Sequence, residues 1–89
     1  MEVVYRRCCG LDVHKDRITA CVLVLGEQGE REVRKKEFPS FWRGLENLRL
    51  WLHACKVECV AMESTGVYWK PVWNVLEGQF RLLLANPYT

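Results

Sequence analysis

This sequence has no long apolar run, no C-x-x-C pair, no internal repeat and no dominant charge of one sign, and each absence removes a class of function. The longest uninterrupted apolar stretch is Ala20 to Leu25, far short of the roughly 20 residues a membrane-spanning helix needs. Glu2, Arg6 and Arg7 deny the N-terminus the apolar centre of a secretion signal. Thirteen Lys and Arg stand against eleven Asp and Glu, a net charge of +2. That balance permits a nucleic-acid partner without demanding one, since a dedicated DNA-binding module is usually more basic. The five cysteines (Cys8, Cys9, Cys21, Cys55, Cys59) are odd in number, and four lie in or beside apolar runs. They read as small buried hydrophobes of a protein in the reducing cytoplasm, not as zinc ligands or disulfides.

What is present is the material of one folded domain, residues 1–89. Of its 89 residues 49% are apolar, with four tryptophans among the aromatics, which excludes disorder. A chain this short buries only roughly 60–65% of its unfolded surface, so its stability margin is thin. Val3 to Val13 and Arg17 to Leu25 read as strands, the second apolar on both alternating faces as if covered on both sides. Glu27 to Glu30 supplies a hairpin turn into Arg31 to Phe38, whose charges suit a sheet edge. After Pro39, Ser40 offers a helix N-cap, and Phe41, Leu45, Leu48 and Leu52 form an apolar stripe widened by Trp51 and Cys55. Glu58 to Met62 is a short buried strand ending at Glu63. A second helix carries Trp69, Val72, Trp73 and Leu76, with Pro71 in its first turn and Gly78 ending it. Phe80 to Ala85 is the last strand.

The order β-β-β-α-β-α-β gives an α/β fold: an antiparallel meander, then two helical crossovers that make the fourth and fifth strands parallel to a neighbour. The first strand takes the centre, between the second and the fourth. Strand one then ends at Asp12 and strand four at Glu63, about 4.8 Å apart at one edge of the sheet. Two carboxylates so close repel each other unless a cation sits between them. Oxygen-only ligands suit Mg²⁺ or Mn²⁺ and argue against zinc, and such ions serve phosphodiester chemistry.

"GLDVHKDRITACVL", followed about fifty residues later by "VAMESTGVYWKPVWNVLEG", resembles the N-terminal domain of the IS-one-ten family of insertion-sequence transposases, the DEDD transposases. The resemblance implies a RuvC-like, RNase H-like fold with a mixed five-stranded sheet. It makes Asp12 the family's first catalytic aspartate and Glu63 its glutamate, both metal ligands. It also implies DNA as substrate, with selection of target and donor DNA by an RNA that the element encodes. In the family, two further aspartates on a later helix complete the tetrad, and a serine implicated as nucleophile lies in a second domain. Here the one other aspartate is Asp16, which does not substitute. The expectation is therefore a fragment that binds metal weakly and does not cleave or join DNA unaided. In the family the last strand is covered by the helix that follows it; without that helix it should expose apolar surface and self-associate.

His14 and Lys15 are candidates for phosphate contact, or else lie in a solvated turn. Ser64 and Thr65 either cap the second helix, with Gly66 turning the chain, or place that turn against a nucleic-acid phosphate. Trp69 and Trp73 read as core, leaving Tyr68 as the surface aromatic for base contact. Arg31, Arg34, Lys35 and Lys36, interrupted by Glu32 and Glu37, read as a solvated edge strand in preference to a DNA-contacting face. Two alternatives stand beside the transposase reading. One is a non-catalytic remnant or scaffold. The other is an actin or sugar-kinase type nucleotide-binding domain, disfavoured because Val13, His14 and Lys15 fill places where small residues would let backbone amides reach phosphates.

Overall fold

The computed structural model describes residues 5–85. Strands β1 (Arg7–Val13), β2 (Arg17–Leu25) and β3 (Arg31–Pro39) are followed by helix α1 (Trp42–Ala54), β4 (Cys59–Ser64), α2 (Trp69–Leu76) and β5 (Arg81–Leu84). One sheet runs β3-β2-β1-β4-β5. β1 pairs antiparallel with β2 and parallel with β4, as the crossover requires. The expected element order and the central place of the first strand are both found; Val3 and Val4, expected to open that strand, lie outside the described residues.

Alternation along the strands decides which face is buried. Cys9, Leu11 and Val13 of β1, Ile18, Ala20 and Val22 of β2, and Val60 and Met62 of β4 enter one core with Leu45, Leu48 and Leu52 of α1 and Val72 and Leu76 of α2. Each Val, Leu, Ile or Met side chain among them contributes about 1.5–3 kcal/mol by leaving water. Both helices therefore lie on one face. The other face presents Gly10, Asp12, Ala61 and Glu63, all exposed, beside the half-buried Thr19, Cys21 and Leu23 of β2. The second strand is thus covered on one side among the described residues. Its apolar character on the open side came from cysteine and leucine that remain half in water.

The helix starts differ from expectation. Ser40 does not cap α1: the N-cap is Phe41 and no side chain caps it. The Ser40 hydroxyl instead donates to the carbonyl of Lys15, and its amide donates to the carbonyl of Asp16 at 3.1 Å. Phe41, expected in the buried stripe, is 58% exposed, because it precedes the helix and is not carried round to the core face. Glycine takes the inner place at 44, buried against the corner. Ser64 and Thr65 do not cap α2 either, since Gly66 (φ +73) turns the chain and α2 begins only after Tyr68, again without a side-chain cap. At the other end of α1 the chain closes as a Schellman motif, with Val57 N–H on Leu52 O and Lys56 N–H on His53 O, both at 3.0 Å. Lys56 takes the left-handed conformation there, at φ +56.

Candidate functional site

Asp12 and Glu63 are direct partners in the parallel register of β1 and β4, two residues beyond Gly10 and Ala61. Both strand ends are fixed by backbone hydrogen bonds: Thr65 N–H donates to Val13 O at 3.3 Å, and His14 N–H donates to Arg17 O at 2.9 Å. The carboxylates stand at the carboxyl ends of adjacent parallel strands, where open α/β sheets place their ligands. They border an open hollow of about 420 Å³ floored by Gly10 and Ala61 and flanked by Lys35. A side-chain methyl at Gly10 would meet nothing within 4 Å, so there is room for an ion with its water.

Among the described residues, no lysine or arginine pairs with either carboxylate. Asp12 has one polar partner, His14, whose Nε2 lies 3.1 Å from Oδ2. Its side chain is 61% exposed. No set of three or more His, Cys, Asp or Glu side chains converges there among those residues. The pair fits a hard divalent cation in donor type, both being carboxylate oxygens, but supplies too few ligands to enclose one.

Among the described residues the cysteines join no cluster of three or more His, Cys, Asp or Glu side chains. Burial pushes the Cys9 thiol up to about 12. The Cys8 thiol is also raised, by burial first and then by Cys59 and Glu58. Thiols held neutral in this way are poor metal ligands. All five remain free; Cys9, Cys55 and Cys59 are buried, and Cys8 and Cys21 are half-buried.

The other expected contacts divide between two places. His14, Lys15 and Thr65 line a second recess together with Asp16 and Arg17, next to the carboxylates. Tyr68 is exposed but does not line either hollow. Ser64 points to the helix face, and its hydroxyl is buried without a partner. Trp69 and Trp73 pack edge to face at 5.9 Å against the core, as expected. On β3, Arg34 folds back onto Glu32 and Cys55, while Arg31, Lys35 and Lys36 are exposed. The His14–Asp12 contact was not foreseen. Its signal was available, because two residues spaced i, i+2 at a strand end share a face.

A family model for IS110 DEDD elements, described as "Transposase", matches residues 9–89. A comparison with curated proteins finds no match. Among solved structures, the fowlpox virus resolvase, crystallised with Holliday junction DNA, is similar over 93% of this chain and 62% of its own, at 10% identity and TM-score 0.66. The Aquifex aeolicus member of the Ppx/GppA family is similar over 94% of this chain and 36% of its own, at 11% identity and TM-score 0.58. A second Aquifex aeolicus PPX-GPPA structure gives 9% identity and TM-score 0.54, covering 37% of that chain. This chain thus spans between about a third and three-fifths of these proteins. At such identities the likeness is one of fold, and that fold is the RNase H-like, RuvC-like one. The match of residues 9–89, which takes in both carboxylates, all but the first two residues of β1 and the whole of the other four strands, places the chain in the IS110 (IS-one-ten) family of DEDD transposases.

Proposed function

We propose that residues 1–89 form the N-terminal part of a DNA transposase domain, in which Asp12 and Glu63 supply two of the carboxylates of a Mg²⁺ or Mn²⁺ site for phosphodiester chemistry. The observation that carries this reading is the direct parallel pairing of Asp12 with Glu63 on the open face, with no lysine or arginine paired to either among the described residues. A bound divalent ion would lower the barrier by holding the attacking or leaving oxygen and neutralising charge on the phosphate. The chain's own part is to keep two oxygen donors at one sheet edge and to offer phosphate-binding groups beside them. Lys15 and Thr65 are the groups we assign to the DNA backbone. Tyr68 and the buried Ser64 have weaker support, because neither lines the recess next to the carboxylates. The resolvase crystallised with Holliday junction DNA supports DNA as the partner, and the family's use of an element-encoded RNA extends the proposal to RNA.

With two carboxylates the ion is held weakly, so this chain alone does not cleave DNA. The reading is tested by titrating the 89-residue protein with Mn²⁺ and following free Mn²⁺ by electron paramagnetic resonance. Binding that Asp12→Asn and Glu63→Gln each remove is expected; binding that survives both substitutions would overturn it. Robust Mg²⁺-dependent strand cleavage, lost on Asp12→Asn, would refute the inactivity of the fragment. Self-association belongs to the same proposal, supported by the exposure of Leu83 and Leu84 on the last strand. A concentration-independent monomer in sedimentation would count against it.

A further inference from the structure

We infer that His14 is a positioning residue for Asp12, and that it sets how the carboxylate meets a divalent ion. The inference rests on the metal-site reading above. His14 is two residues beyond Asp12, where the chain leaves β1, and its Nε2 lies 3.1 Å from Asp12 Oδ2. An ionised carboxylate only accepts hydrogen bonds, so the ring must carry its proton on Nε2 and donate it.

The backbone of His14 is held in place by the fold. His14 N–H is bonded to Arg17 O at 2.9 Å, which closes the β1–β2 turn. That turn is clamped in its middle by Ser40, whose hydroxyl and amide take the carbonyls of Lys15 and Asp16. Ser40 directly follows Pro39, which is in register with Arg17 at the edge of the sheet. A histidine on a free loop would lose both backbone and side-chain entropy to make this bond. Here the backbone part of that loss is already met by the fold.

The consequence is a difference between the two oxygens of Asp12. Oδ2 accepts the imidazole N–H with one of its two lone pairs, which leaves Oδ1 as the less encumbered oxygen for a cation. A carboxylate presented through one oxygen suits Mg²⁺ and Mn²⁺, which take few protein carboxylates at short, octahedral distances. It suits Ca²⁺ less well, because Ca²⁺ readily uses both oxygens of one carboxylate. His14 therefore acts twice: it fixes the carboxylate's orientation, and it opposes bidentate capture by a larger ion.

The test compares Mn²⁺, Mg²⁺ and Ca²⁺ binding by calorimetry for the wild-type chain, His14→Ala, His14→Gln and Asp12→Asn, with urea midpoints as a check on folding. Outer hydrogen-bond partners of metal ligands are typically worth 10–100-fold in affinity. His14→Ala should therefore weaken Mn²⁺ about tenfold and narrow the preference for Mn²⁺ and Mg²⁺ over Ca²⁺. His14→Gln, whose amide nitrogen can replace Nε2 as donor, should recover most of both. Asp12→Asn should remove binding. If His14→Ala binds all three ions as the wild type does while Asp12→Asn does not bind, the positioning role is refuted and the metal site stands. If His14→Ala loses binding as completely as Asp12→Asn, His14 is itself a ligand and the inference is again overturned. If Asp12→Asn leaves binding unchanged, the underlying metal-site reading fails.

Discussion

Replacing Gly44 by alanine sets two opposed effects against each other, and the structure decides between them. Gly44 lies in the first turn of α1 and is buried. Helix propensity alone favours alanine over glycine by about 0.8–1 kcal/mol. A Cβ built at Gly44, however, would fall 2.7 Å from the carbonyl carbon of Pro39 and 2.9 Å from its Cγ, and closer still to its carbonyl oxygen. Pro39 cannot easily give way, being in register with Arg17 and followed by the Ser40 clamp on the β1–β2 turn. Overpacking against such a partner costs typically 1–3 kcal/mol, so we expect Gly44→Ala to destabilise the protein by roughly 1 kcal/mol net. Gly10→Ala is the control: its Cβ meets nothing within 4 Å, and removing glycine from a strand should be neutral or stabilising by up to about 1 kcal/mol. Urea unfolding followed by tryptophan fluorescence measures both. A Gly44→Ala midpoint above that of the wild type would refute the argument, because it would mean the corner yields and propensity wins.

Three further outcomes follow from the same geometry. Lys56→Gly should raise stability by about 1 kcal/mol, the penalty of a side chain in the left-handed region at the end of α1, and an unchanged urea midpoint would contradict it. The Cys9 thiol, raised from 9.0 to about 12, stays protonated in the fold while the unfolded chain ionises; stability is fully present below pH 9 and falls by about 1.4 kcal/mol per unit as pH rises towards 12. Cys9→Ala should lose that component, and parallel slopes for the two proteins in alkaline urea titrations would exclude it. Glu63→Gln removes one of two like charges at facing positions and should stabilise the metal-free protein by roughly 0.2–1 kcal/mol, while abolishing any rise in melting temperature on adding Mg²⁺.

The strands, their order and the pairing of Asp12 with Glu63 were legible because each rests on a period or a spacing. Alternation sorted Cys9, Leu11 and Val13 from Gly10 and Asp12, and two crossovers left β1 little choice but the centre. The helix starts were not legible. A serine after proline has the composition of a cap whether its hydroxyl serves the helix or a neighbouring turn, and here the carbonyl of Lys15 takes it. Phe41 has the right spacing for the buried stripe but lies one residue before the helix, where the rotation of 100° per residue does not yet apply. Ser64 and Thr65 were assigned to a cap from type and position, yet the left-handed turn at Gly66 delays α2 until the hydroxyls are out of reach.

The site combines a rigid frame with a wet surface, and that combination governs its strength. β1 and β4 are inner strands, paired on both sides, so the backbones that carry the two carboxylates cannot move apart to relieve their repulsion. Their shared face is open to water, so any ion between them is attracted through a high dielectric and held weakly. Whatever lies down on Gly10 and Ala61 changes the second condition without touching the first: it excludes water, lowers the local dielectric and strengthens attraction for the ion. The exchange is reciprocal, since a layer that raises metal affinity must itself be bound more tightly when metal is present. The small residues flooring the hollow allow such a layer to approach closely. If the proposed ion binds between Asp12 and Glu63, the open face and the carboxylate pair act as one device, with metal occupancy and the covering of the sheet linked through the same few residues.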